Sequence, residues 1–296
     1  MSGTRRPWLP PPVSGQLVAV PAGSDPPLDG FFAPGRPPAR GSALLQHGNG
    51  ANFYSGPVRF LLPALQRAGF DCLSLNRHGH ETLTTRTRDP EGNAYQTAAQ
   101  AAADVDAARD YLATRGAPLP VVVGHSNGAL FSAHHAARRP PAALVLLSPH
   151  CGGPELLPRA SANGLLGQGR LAACLAEAEA LVAQGRPEAL VLLPGWWYVT
   201  SAGSLLDLAR NLPRLLDQAP LITCPTLVLR GGEEDPELYP AEAFAATVPA
   251  PADAVVVPGT DHFYTGREQH VAALVVDWLD QVLPRRRRLQ PSNASS

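Results

Sequence analysis

Ser126 stands in Gly124-His125-Ser126-Asn127-Gly128, a G-x-S-x-G arrangement. A serine hydroxyl is a weak nucleophile at neutral pH and needs a base within hydrogen-bond reach. A histidine that serves as that base needs a carboxylate to fix its tautomer and to stabilise the imidazolium it becomes. The developing oxyanion needs two backbone amides aimed at it. The residues that can meet these needs lie at the ends of apolar runs: His47-Gly48-Asn49-Gly50 after Ser42–Gln46, Glu233-Glu234-Asp235 after Thr226–Arg230, and Gly259-Thr260-Asp261-His262 after Ala254–Val257.

The elements follow from the patterning. Val121-Val122-Val123 reads as a strand covered on both faces, and Ala129, Leu130 and Phe131 begin a buried helix. The chain must therefore reverse at Ser126, with Gly124 and Gly128 allowing strand and helix to approach. Upstream, Gln16–Val20 and Leu28–Phe32 read as a hairpin. Ser42–Gln46, a helix Val58–Ala68 closed by Gly69, and a strand Phe70–Leu75 come next. The polar loop 77–96, a helix Thr97–Arg115, the valine strand and Ala142–Leu147 continue an alternation that implies parallel strands joined by crossover helices.

From Cys151 to Ile222 that rhythm stops. The segment shows helical patterns, Leu171–Gln184 and Leu205–Leu216, the latter capped by Ser204 and broken by Pro213, and no buried sheet strand. It is too long for a connection and is expected to be an inserted helical lid. The sheet resumes with Thr226–Arg230 and Ala254–Val257, and Gln269–Leu283 closes the chain. The expected division is a core of residues 15–150 and 223–283, a lid of 151–222, and disordered tails at 1–14 and 284–296.

In an open parallel sheet the groups at the carboxyl ends of the strands share one crevice. The expected constellation is Ser126 as nucleophile, His262 as base and Asp235 as its carboxylate. Asp235 is preferred because two glycines turn the chain just before it, and Glu233 and Glu234 stay open as alternatives. The amides of Asn127 and Asn49 are expected to form the oxyanion hole. Trp196, Trp197 and Tyr198 either line an apolar substrate pocket or pack the insertion onto the core. His78, His80 and His150 lack carboxylates or cysteines at metal-ligand spacing, so no metal site and no cofactor are expected.

These three motifs, in the order Ser126, Asp235, His262, resemble an α/β-hydrolase fold serine hydrolase with a helical lid over about residues 15–283. The resemblance implies esterase, lipase, thioesterase or peptidase-like acyl chemistry. It assigns no single substrate, because the fold hosts many functions. The expected activity is cleavage of a small-molecule carboxylic ester or thioester through an acyl-enzyme on Ser126. Acyl transfer or lyase chemistry with the same residues, and a binding protein without turnover, are the rivals.

Composition bounds the partners. A net charge of −1 over 296 residues, 45% of them apolar, points to neither nucleic acid nor an anionic membrane. The basic residues are all arginine, which with 32 prolines reads as coding bias. No run approaches the about 18 apolar residues of a membrane span, and no signal peptide is evident. Cys72, Cys151, Cys174 and Cys224 are scattered and expected to be buried free thiols in a reducing, cytoplasmic setting. A small-molecule acyl substrate is the expected partner, and a homodimer stays open.

Overall fold

A computed structural model describes residues 8–23, 25–84, 88–196 and 198–283. The chain begins with a hairpin, β1 (Gln16–Ala22) and β2 (Asp25–Ala33), then β3 (Gly41–Gln46), α1 (Pro57–Arg67), β4 (Phe70–Leu75), α2 (Ala98–Thr114), β5 (Val121–His125), α3 (Asn127–Arg138) and β6 (Ala143–Leu147). The segment after β6 holds α4 (Leu156–Ala162), α5 (Leu171–Ala183), β7 (Leu190–Leu193), β8 (Tyr198–Ser201), α6 (Ala202–Asn211) and α7 (Leu215–Gln218). The chain then returns through β9 (Thr226–Gly231), α8 (Ala241–Thr247), β10 (Ala252–Val257) and α9 (Glu268–Val282).

Eight strands form one sheet in the order β1-β2-β4-β3-β5-β6-β9-β10. Every pairing from β4 through β10 is parallel, while β1 with β2 and β2 with β4 are antiparallel. Side chains alternate across a strand, so β6 sends Leu144 and Leu146 to one core and Ala143, Val145 and Leu147 to the other. The first core lies under α2, α3, α8 and the inserted segment, and the second under α1 and α9. Burial on both faces explains why the central strands read as unbroken apolar runs. All four cysteines are buried free thiols. Among the described residues, no helix is long and apolar enough to cross a membrane.

The segment between β6 and β9 departs from expectation in three ways. It contains a two-stranded antiparallel sheet, β7 with β8, separate from the main sheet, besides its helices. The cap of α6 is Ser201, whose hydroxyl accepts the Ser204 N–H, so the helix starts earlier than Ser204. The short helix α4 was not anticipated, because its seven residues carry too few turns to show a period. Residues 8–14 have no regular structure, but Trp8 donates its backbone N–H to Glu268 Oε1 (3.2 Å), and both Trp8 and Val13 pack on the second core. Residues 1–7 and 284–296 lie outside the described residues.

Candidate active site

Ser126 occupies the turn between β5 and α3 with φ 56° and ψ −120°, backbone angles that a side-chain-bearing residue rarely adopts. Serine is a favoured helix N-cap, yet the Ser126 hydroxyl makes no capping bond and is left to other use. The reversal works only because two glycines flank it. A Cβ on Gly124 would lie 2.5 Å from the Gly128 carbonyl oxygen, and one on Gly128 would lie 2.4 Å from that of His47. The β3–α1 loop is thus pressed against the elbow, and a Cβ on Gly48 would come 3.0 Å from the Ser126 Cβ.

Ser126, His262, Glu234, His150 and Asn49 line one cavity of about 370 Å³ at the carboxyl ends of the strands. Of the four histidines around Ser126 (His47, His125, His150 and His262), His262 is the one held by a carboxylate among the described residues. Its Nδ1–H donates to Glu234 Oε1 at 2.6 Å, which leaves Nε2 as the acceptor of a neutral ring. From behind, the His125 Nε2–H donates to the His262 carbonyl (3.0 Å) and the two rings lie 4.7 Å apart. Burial, then the nearby His262, holds the pKa of His125 well below the ordinary histidine range. His47 is likewise depressed, by burial and then by Arg77.

The carboxylate that bonds His262 is that of Glu234 and not that of Asp235. After β9, Glu234 N–H donates to the Gly231 carbonyl (3.1 Å), and this tight turn brings the glutamate side chain back into the crevice. Its Oε2 accepts the Ser148 hydroxyl (2.7 Å) and the Gly231 N–H (2.6 Å). Tyr264, fully buried, places its hydroxyl 2.8 Å from Ser148 Oγ, extending the chain of hydrogen bonds. Asp235 points elsewhere: it accepts the Glu237 N–H (2.7 Å) and the Asn163 Nδ2–H (2.9 Å). The bond from Asn163 is the first cause of its lowered pKa. The two glycines do turn the chain as expected, but the turn closes one residue earlier, and the longer glutamate spans the gap. Ser148 and Tyr264 carried no sequence signal beyond lying at a strand end and two residues past His262.

Asn127 opens α3, where the first amides of a helix have no partner within it. Its side-chain Oδ1 accepts from Arg77 Nη1 (3.2 Å), so a fully buried guanidinium backs the elbow. Burial lowers the pKa of Arg77 to about 10, and the group keeps its charge at neutral pH. Arg77 also donates its backbone N–H to His47 Nε2 (3.1 Å), and the His47 Nδ1–H donates to the Gly48 carbonyl (2.7 Å). These bonds tie the end of β4 to the loop that carries Asn49.

The aromatic triplet divides. Trp196, 46% exposed, lines the mouth of the cavity beside Leu165 and Leu166. Tyr198 does not line it: its hydroxyl accepts from Asn93 Nδ2 (3.0 Å), and it borders a smaller recess behind Asn49 and Asn127. Trp197 lies outside the described residues. His78 is held by Asp104 (2.5 Å) and borders a separate recess with His80, away from His150.

Residues 31–277 match the sequence model of a family described as the alpha/beta hydrolase family. The chain therefore belongs to the alpha/beta hydrolase family. Several solved structures share its fold. Est1E from Butyrivibrio proteoclasticus with ferulic acid bound superposes with a TM-score of 0.67 at 18% identity, over 89% of this chain and 98% of that one. A dienelactone hydrolase from Anabaena variabilis gives 0.58 at 20% identity, over 92% and 99%. A proline iminopeptidase from Mycobacterium smegmatis gives 0.60 at 17% identity, over 90% and 98%. No curated protein matches the sequence.

Proposed function

We propose that the protein is a serine hydrolase that cleaves a small carboxylic ester or thioester through an acyl-enzyme on Ser126. The observation that carries this is the His262 Nδ1–Glu234 contact of 2.6 Å in the wall of the cavity that Ser126 also lines. His262 Nε2 takes the proton as Ser126 Oγ adds to the acyl carbonyl. The tetrahedral oxyanion is received by the amides of Asn127 and Asn49. His262 gives the proton to the leaving oxygen or sulfur, the acyl bond to it breaks, and the acyl-serine remains. Water, deprotonated by the same Nε2, then releases the acid and restores Ser126. Glu234 holds the Nδ1–H tautomer throughout and stabilises the imidazolium. The Ser148 and Gly231 donors on its other oxygen keep that carboxylate in place.

The inserted segment is the roof in this reading. Leu156, Ala160, Leu165, Leu166 and Trp196 come from it to the cavity and favour an apolar or aromatic group over a charged one. The names of the structural neighbours, which include esterases, are in keeping with ester chemistry. The test is a panel of p-nitrophenyl esters and acyl-thioesters of graded chain length, together with labelling by a fluorophosphonate. Turnover with label on Ser126 is the expected result; absence of both across the panel overturns the proposal.

A further inference from the structure

His150 is the histidine of the cavity for which the reaction above has no use. It follows β6, is 5% exposed, and its ring lines the same cavity as Ser126 and His262. The Gly152 N–H donates to its Nδ1 at 3.2 Å, so in the neutral ring the proton is on Nε2. Burial, then the charges of His262 and Arg77, push its pKa down to about 3, and the ring is neutral across the working range. That Nε2–H is buried and has no acceptor among the described residues. Buried donors are nearly always paired, and His150, whose Nε2–H has no protein acceptor among the described residues, is one of the residues that line the cavity. The same cavity is lined by hydrocarbon from Leu156, Ala160, Leu166 and Leu238 as well as by polar groups, Asn49 and Tyr239 among them, and none of these bonds the Nε2–H.

We propose that His150 is a specificity-determining residue whose Nε2–H donates to a neutral oxygen carried within the otherwise apolar part of the substrate. The preferred substrate is then an oxygenated ester, with an ether, keto or hydroxyl oxygen in its chain, and not a plain alkyl ester. The inference rests on the hydrolase reading insofar as it takes this cavity as the substrate site. A donor that stays neutral offers a buried carboxylate no counter-charge, so the cost of burying that charge favours a neutral oxygen at this position. A site built to bond a substrate oxygen also rejects the analogue that lacks it, because its own buried donor is then left unpaired.

The probes are p-nitrophenyl hexanoate and its oxa isosteres, in which an ether oxygen replaces one methylene at a time. Their Kd values are measured by calorimetry on Ser126→Ala, which cannot turn them over. One oxa isostere is expected to bind about ten-fold more tightly than hexanoate, the worth of one net hydrogen bond. His150→Phe in that background removes the difference, and His150→Gln, which keeps a donor, restores part of it. No oxa isostere tighter than hexanoate, or a preference that survives His150→Phe, overturns the inference. If the Phe variant does not fold, the Nε2–H proton resonance of isotope-labelled histidine in Ser126→Ala reads the same contact. It shifts with the favoured isostere and not with hexanoate, and an equal response to both overturns the proposal. Turnover of hexanoate by the unaltered enzyme reports separately on the hydrolase reading, since binding to Ser126→Ala does not depend on that serine.

Discussion

The Glu234 carboxylate accepts hydrogen bonds from His262, Ser148 and Gly231, whereas that of the neighbouring Asp235 is engaged by Asn163 and Glu237. That contrast sets the first prediction. Glu234→Gln is expected to lower kcat by about 10⁴, because the amide can donate to His262 Nδ1 and so select the wrong tautomer. Asp235→Asn is expected to change kcat by less than about three-fold, since it loses only surface bonds; steady-state kinetics of both variants decide it, and equal losses would displace Glu234. Ser126→Ala is expected to abolish fluorophosphonate labelling and lower kcat by about 10⁶, with an unchanged melting temperature. The buried histidines set a pH prediction. His47, His125 and His150 all have pKa values below the ordinary 6.5. Below that value the unfolded chain binds protons that the folded chain refuses, so stability falls as pH falls. Each group contributes up to about 1.4 kcal/mol per pH unit in that window. Melting temperature is expected to drop from pH 7 to pH 5, and His150→Phe to flatten the slope.

The β5–α3 elbow is where an element, and not a side chain, makes the site. Ser126 is held at positive φ by a strand and a helix that leave no room between them, and the β3–α1 loop fills the remaining side. Gly128→Ala places a Cβ 2.4 Å from the His47 carbonyl oxygen, against backbone that cannot swing away. It is expected to destabilise by about 1–3 kcal/mol, as overpacking does. It is also expected to cost activity beyond that, because the same shift displaces the Asn49 and Asn127 amides. Urea melts alongside kcat for Gly128→Ala give both readings, and normal kinetics at reduced stability would separate the loop from the oxyanion site.

For the molecule as a whole, the inserted segment and the sheet share one core. Leu205, Leu215, Ala178 and Leu193 are buried with Val122, Leu144 and Val228 in a single cluster. Replacing residues 151–222 by a short linker is therefore expected to give a chain that does not fold, and a soluble, cooperatively melting product would refute that. Trp196 is different, being half exposed at the cavity mouth. Trp196→Ala is expected to shift chain-length preference several-fold while moving the melting temperature by less than about 2 °C, surface substitutions being nearly neutral. The opposite pattern would make this ring packing and not pocket.

The order of the main-sheet strands and their crossover helices, the elbow at Ser126 and the position of His262 were legible in the sequence because each depends on neighbours along the chain. Valine runs, flanking glycines and helical spacing are local signals, and parallel strands bring their carboxyl ends together wherever such signals alternate. Which of three adjacent acids meets His262 was not legible. Glu233, Glu234 and Asp235 differ in the sequence by one position or one methylene, and the choice falls to where the β9 turn closes and to Ser148 and Gly231 on the far oxygen. The same holds for the aromatic triplet: Trp196 and Tyr198 are two residues apart, yet the β7–β8 hairpin takes one to the cavity and the other to a recess beneath Asn49. His150, too, reads in the sequence only as a strand-end histidine without metal-ligand neighbours, until its burial in the fold, with Nδ1 already taken, leaves its Nε2–H without an acceptor among the described residues. Periodicity follows from the chain's own geometry, whereas partners come from distant segments, and only their packing decides which side chains meet.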